Sequence, residues 1–227
     1  MTPLARAAHL LPFLALVAAC EPTVPERDCS TCVYDFADTV PPANALVFHW
    51  PASRQPVRFY GDPRGAMPTL VTLGVTAWEG QFLYGEFRGT ITADSSQADV
   101  IMSWAGGVPP DVPPDPGPPV DACFGLTTNP AGVFVDSSAS DVLVDTSVKV
   151  LHITLGARGS FPAAVVAACL RRVAIHELGH ALGLLKHSAS SFDIMNATPT
   201  VTAPSTIDRN TVEVLYHTPA TIVPPPR

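Results

Sequence analysis

The residues with the types and spacing to do chemistry stand together as His176-Glu177-Leu178-Gly179-His180. On a helix, side chains four positions apart share a face with Cβ atoms about 6 Å apart, so His176 and His180 can reach one ion through neutral imidazole nitrogens. Zinc suits such donors, and three protein ligands leave its fourth position for water. Glu177 projects beside that face, too close in sequence to ligate with its neighbours. It is placed to accept a proton from a zinc-activated water, whose pKa falls from about 15.7 to about 7, and to pass it to a leaving amine. That chemistry fits peptide-like carbonyl substrates. With seven histidines and six glutamates in 227 residues, chance produces this pattern with a probability on the order of half a per cent. The plainer alternatives are two solvated histidines on a surface helix, or a histidine pair in a core.

Positioning these residues requires a helix, a turn and a sheet. Ser160 is expected to cap a helix with Pro162 near its first turn, running from Ala163 to about Leu182. Gly183 can end it in a left-handed conformation and turn the chain, bringing a later side chain back to the ion. Upstream, Val57-Arg58-Phe59-Tyr60 alternates as a strand, and Pro68 opens an amphipathic helix to about Glu79. Residues 83–92, 98–104, 124–128, 132–136 and 148–155 read as further strands. A last helix starts at Ser205, whose capping box Asp208 completes, and continues to about Tyr216. Strands first and a long helix late predict an α+β layer fold.

At Gly183 the chain comes to resemble the metzincin clan of zinc endopeptidases, most closely its matrixin-like branch. The resemblance is carried by His176, Glu177, His180 and Gly183, with His187-Ser188 after the turn. Asp193-Ile194-Met195 is similar to the Met-turn that places a methionine beneath the metal, and Ser205…Asp208…Leu215-Tyr216 to the C-terminal helix. Ala98-Asp99-Val100-Ile101 is similar to the third strand, and Trp78 to the end of the first helix. The similarity spans roughly residues 45 to 217 and implies a zincin-like catalytic domain: a twisted, mostly parallel sheet with an antiparallel edge strand, an active-site helix and a C-terminal helix. Metzincins usually carry their third histidine where this chain has Lys186; the histidine comes one residue later, at His187. Either the turn absorbs one extra residue and His187 ligates, or a carboxylate, Asp193, supplies the third ligand. Glu213 would suit a gluzincin-like site, which Gly183 and Met195 argue against. Met195 can also be read as simple core packing. Residues 196–199 are expected to wall the substrate pocket, and Asp208 to cap its helix and buttress the Met-turn. His49, His152 and His217 are isolated and expected to be structural or solvent-facing. Calcium at the acidic loop 136–145 is conceivable, although a solvated turn is the simpler reading.

Composition sets the remaining bounds. Net charge is −7 and no basic run occurs, so nucleic acid is not an expected partner. Twenty-five prolines exclude an all-helical bundle, and seven of them, between Gly106 and Pro119, predict an extended surface loop inserted at 106–119. Residues 1–19 read as a signal peptide, with Arg6 before an apolar run too short for a permanent membrane span. The run ends in Val17-Ala18-Ala19-Cys20, which resembles a bacterial lipobox and makes Cys20 the expected lipidation site. The expected organisation is therefore a tether over 20–43, a peptidase domain over 44–218 and a tail over 219–227. The protein is expected to be exported and anchored to the outer membrane or cell surface as a monomer. Export makes two disulfides the natural use of the other four cysteines, which allow three connectivities; a local Cys29–Cys32 pair is the preferred reading, and it would leave a Cys123–Cys169 staple. The functional expectation is a zinc-dependent endopeptidase with Glu177 as general base and acid. The alternative is a catalytically inactive zinc-binding surface lipoprotein that serves as a binding or adhesion module.

Overall fold

The computed structural model describes residues 32–40, 44–111, 121–129, 132–133, 150–225 and 227. A short antiparallel hairpin, β1 (Asp38–Val40) and β2 (Asn44–Leu46), precedes the main sheet. Then follow β3 (Val57–Gly61), α1 (Met67–Glu79), β4 (Gly89–Ile91), β5 (Val100–Trp104), β6 (Cys123–Asn129), β7 (Gly132–Val133), β8 (Leu151–Ala157), α2 (Ala163–Leu182) and α3 (Thr206–Tyr216). The six-stranded sheet has the order β4-β3-β5-β8-β6-β7. β4, β3, β5 and β8 run parallel, while β6 is antiparallel to β8, with Thr127 opposite Ile153. This is the α+β, zincin-like arrangement expected: a mostly parallel sheet with an antiparallel strand towards one edge, and helices packed on it.

Alternation builds the sheet's inner face. Val57 and Phe59, then Val100, Met102 and Trp104, then Leu151, Ile153 and Leu155 are all buried at every second position. The helices cover that face. α1 contributes Met67, Leu70, Val71, Val75 and Trp78, and α2 is buried almost throughout from Val166 to Leu182. The helices approach closely at Gly74, where a Cβ would lie 3.0 Å from Leu178 Cδ1. Two indoles lock α2 in place: Trp78 Nε1 donates to the Ile175 carbonyl (2.7 Å) and Trp50 Nε1 to that of Ala181 (2.9 Å). The Cys123–Cys169 disulfide joins β6 to α2, as expected. Among the described residues, no helix is long and apolar enough to cross a membrane.

Several expectations need correction. Of the strand expected over 83–92, only Gly89–Ile91 forms. The N–H groups of Leu83 and Tyr84 go to the carboxylates of Glu213 and Glu86 instead of to a ladder, and Gly85 turns the chain at positive φ. Ser160 does not cap α2; the N-cap position belongs to Pro162, and no side chain bonds there. The spacer expected up to residue 43 ends earlier. Tyr34, Phe36 and Ala37 pack on the core, and the Tyr34 N–H donates to Thr211 Oγ1. The tail over 219–227 is likewise fastened: the N–H groups of Thr221 and Ile222 bond to the Val47 carbonyl, and Arg227 pairs with buried Asp99 beside Arg54. Residues 1–31, including the signal segment, Cys20 and Cys29, lie outside the described residues, as do 112–120 of the proline-rich insertion and the acidic loop 136–145. Cys32 is disulfide-bonded, but the expected pairing rests on Cys29 and is not described.

Candidate metal centre

α2 carries His176 and His180 inward, one turn apart, and Gly183 ends it at φ +112°. No side chain fits there, because a Cβ would overlap the Phe48 carbonyl oxygen. The chain reverses, with the Leu184 N–H on the Gly179 carbonyl and the Leu185 N–H on the Phe36 carbonyl. Lys186 then turns outward to Asp35 (3.6 Å), and His187 arrives opposite the helix. The extra residue between Gly183 and the third histidine is thus taken up in a loop that the N-terminal segment braces.

The three Nε2 atoms form a nearly equilateral triangle: 3.1 Å between His176 and His180, and 3.2 Å from His187 to each. Nitrogens bound tetrahedrally to zinc at about 2.0–2.1 Å stand about 3.3 Å apart, so the triangle has the size of a zinc site. Tautomers strengthen the fit. His176 Nδ1 faces the Ile194 carbonyl (2.8 Å) and His180 Nδ1 that of Leu184 (2.5 Å), so both Nδ1 atoms carry the proton and donate it. In the neutral tautomer with the proton on Nδ1, the Nε2 lone pairs of His176 and His180 face each other, an arrangement that suits a cation. Burial pushes the His180 pKa well down, and the neighbouring rings of His176 and His187 add to the shift, so His180 is neutral at pH 7. Among the described residues, this is the one cluster with three metal-ligating side chains within reach of one ion.

Asp193, the alternative third ligand, is committed elsewhere. Its oxygens accept from Ser188 Oγ (2.5 Å) and Ser205 Oγ (2.7 Å), which ties the loop after His187 to the start of α3. Glu213 accepts from the Leu83 N–H, and His49 and His217 bond to main-chain carbonyls, so none of these joins the triad.

Below the triad, Met195 is fully buried, and a Cβ at Gly179 would overlap its sulfur. The methionine therefore supports α2 within the turn between His176 and His180. Its backbone is held from two sides: its carbonyl accepts the Ser188 N–H (2.8 Å), while Asp208 accepts the N–H groups of Ile194 (2.8 Å) and Met195 (3.4 Å). Asp208 also completes the α3 capping box and receives the Tyr34 hydroxyl (3.0 Å). Burial raises its carboxyl above the usual range, against the donation from Ser205, Ile194 and Tyr34. Tyr34 had no signal in the sequence, because its partner lies 174 residues away.

Glu177 lies beside the triad in a cleft walled by β6 on one side and residues 197–200 on the other. Residues 197–199 thus fall where a pocket wall was expected. Thr127 Oγ1 stands 2.6 Å from Glu177 Oε2 and 3.0 Å from the Glu177 carbonyl, and Gly125 leaves room for the Glu177 side chain. Neither residue was singled out from the sequence. A signal existed, however: if Cys123 faces the helix, strand alternation turns Gly125 and Thr127 the same way.

Residues 134–217 match the family model for Matrixin. The match covers somewhat over a third of the chain and runs through α2, the loop with His187 and Met195, and α3. Together with the histidine triad, it makes this region matrixin-like, in line with a metallopeptidase in general terms. Comparison with curated proteins finds no match.

Proposed function

We propose that this protein is a zinc-dependent endopeptidase in which His176, His180 and His187 hold the metal and Glu177 is the catalytic acid–base. The observation that carries the reading is the Nε2 triangle with both helical Nδ1 protons already committed to carbonyls, set beside a buried carboxylate in an open cleft. Zinc held there supplies Lewis acidity, lowering the pKa of a water and polarising a carbonyl. Glu177 takes the proton from that water and returns it to the amide nitrogen as the peptide bond breaks. Substrate is aligned by β6, since β7 pairs only with Thr128 and Asn129 and, among the described residues, leaves the outer edge of Cys123 to Thr127 open for an extended peptide. Export and lipid anchoring through Cys20 belong to the same proposal and rest on the sequence alone.

The binding-module alternative drew its force from the offset histidine, and a His187 Nε2 at 3.2 Å from both partners does not favour it. Cleavage of labelled casein by the chain starting after Cys20 separates the two. Glu177→Ala is expected to keep one zinc per chain while cleavage falls by about 10²–10⁴-fold. Undiminished cleavage in that variant, or none in the zinc-loaded wild type, would overturn the reading.

A further inference from the structure

We infer that Thr127 is the positioning residue for the Glu177 carboxylate, acting from a strand whose register on α2 is set by the Cys123–Cys169 disulfide. The inference rests on the proposed role of Glu177 and adds what aims it.

Alternation along β6 puts Cys123, Gly125 and Thr127 on the face towards α2, and each meets the helix. Cys123 is bonded to Cys169, the space beside Gly125 is filled by the Glu177 side chain, and Thr127 Oγ1 donates to Glu177 Oε2 at 2.6 Å. The two elements keep step. Four strand residues from Cys123 to Thr127 span about 13 Å, and eight helical residues from Cys169 to Glu177 span about 12 Å. A disulfide at one end therefore delivers the threonine to the carboxylate at the other.

The chemistry of the contact fits a positioning role. Thr127 and Glu177 are 3% and 5% exposed, so little water competes for the hydroxyl. A hydroxyl donating to a carboxylate is a short, charge-assisted bond, and its single proton favours Oε2 over the carbonyl at 3.0 Å. Thr is β-branched and stiff at χ1, so Oγ1 is itself held in place. Glu has three side-chain torsions to immobilise, and a catalytic group gains from having that done before substrate arrives. Gly125 completes the berth, because a Cβ there would overlap Glu177 Cγ and Oε1.

The test compares Thr127→Val, Thr127→Ser and Gly125→Ala with wild type in the zinc-loaded chain, using labelled casein, zinc content and crystal structures. Thr127→Val keeps the shape and removes the donor. It is expected to retain one zinc per chain and a KM within about twofold, to lose about tenfold or more in kcat, and to show the carboxylate displaced from β6. Thr127→Ser should restore most of kcat, and Gly125→Ala should displace the carboxylate while leaving the hydroxyl. An unchanged kcat in Thr127→Val, a carboxylate that stays in place, or a Ser variant as impaired as the Val variant would overturn the inference. A wild type that cleaves nothing would sink the peptidase reading, and the crystal structures would still decide whether Thr127 holds the carboxylate.

Discussion

His187 and Asp193 sit in the same loop and both can ligate zinc, so the distinction between them is one of partners. His187 presents Nε2 to two rings whose lone pairs already face it, whereas Asp193 has its two oxygens occupied by serine hydroxyls. Removing each should therefore give different losses. His187→Ala is expected to weaken zinc binding by at least about 100-fold, read by competition with a chelator, because one of three protein ligands is gone. Asp193→Ala is expected to keep one zinc per chain but to unfold earlier, losing about 1–3 kcal/mol as two partly buried hydroxyls lose their acceptor. Zinc loss in Asp193→Ala with full retention in His187→Ala would reverse the assignment.

At the scale of elements, the site depends on how α2 ends. A left-handed residue lets the Gly183 and Leu184 N–H groups bond back to His180 and Gly179, and it aims the loop at the two helical histidines. Phe48 packs its carbonyl against the place where a side chain would be, so position 183 is restricted twice, by φ and by space. Gly183→Ala is expected to cost about 3 kcal/mol or more and to lower Tm by several degrees, with zinc binding weakened in parallel. A variant that unfolds at the wild-type temperature would show that the turn relaxes freely. The turn at Ile194 and Met195 is held from the other side. Asp208 joins the start of α3 to the N–H groups of Ile194 and Met195, and the Ile194 carbonyl in turn receives His176 Nδ1. Helix α3 thus helps orient the His176 ring through the Ile194–Met195 turn.

For the molecule as a whole, long-range ties matter more than local propensity. The disulfide closes 46 residues of chain, and loop-closure entropy alone makes that worth about 4 kcal/mol of stability. Reduction should lower the urea midpoint accordingly. In native conditions it should slow casein cleavage before it releases zinc, because β6 loses its register on α2 while the histidines stay on α2 and its loop. Zinc release preceding the loss of cleavage would contradict that order. The chain ends are held in a comparable way, Tyr34 on Asp208 and Arg227 on Asp99, the latter carboxylate also neutralising buried Arg54. Burial lowers the Arg54 pKa and the Asp99 charge opposes it, so this cluster belongs to the fold rather than to its surface.

The candidate site was legible in the sequence wherever its geometry followed from local spacing. The i, i+4 histidines, the glutamate between them, the glycine turn and the Ser205–Asp208 capping box each need only a helical period or one residue's φ. The inward strand faces were legible for the same reason, through a period of two, whereas the even number of thiols indicated disulfides without fixing which cysteines pair. Where the reading failed, side chains or distant surfaces had claimed the segment: the Leu83 N–H was taken by Glu213, far along the chain, that of Tyr84 by the nearby Glu86 carboxylate, and Tyr34, Phe36 and Ala37 were drawn onto the core. The choice between His187 and Asp193 could not be made from spacing, since both fall within reach of a flexible loop. Only the tertiary structure tells the two apart, by giving Asp193 two hydroxyls to hold and His187 two imidazoles to face. The contact between Thr127 and Glu177 is of the same kind, because parity shows which way a strand residue faces, while its position along a neighbouring helix depends on how the two elements pack.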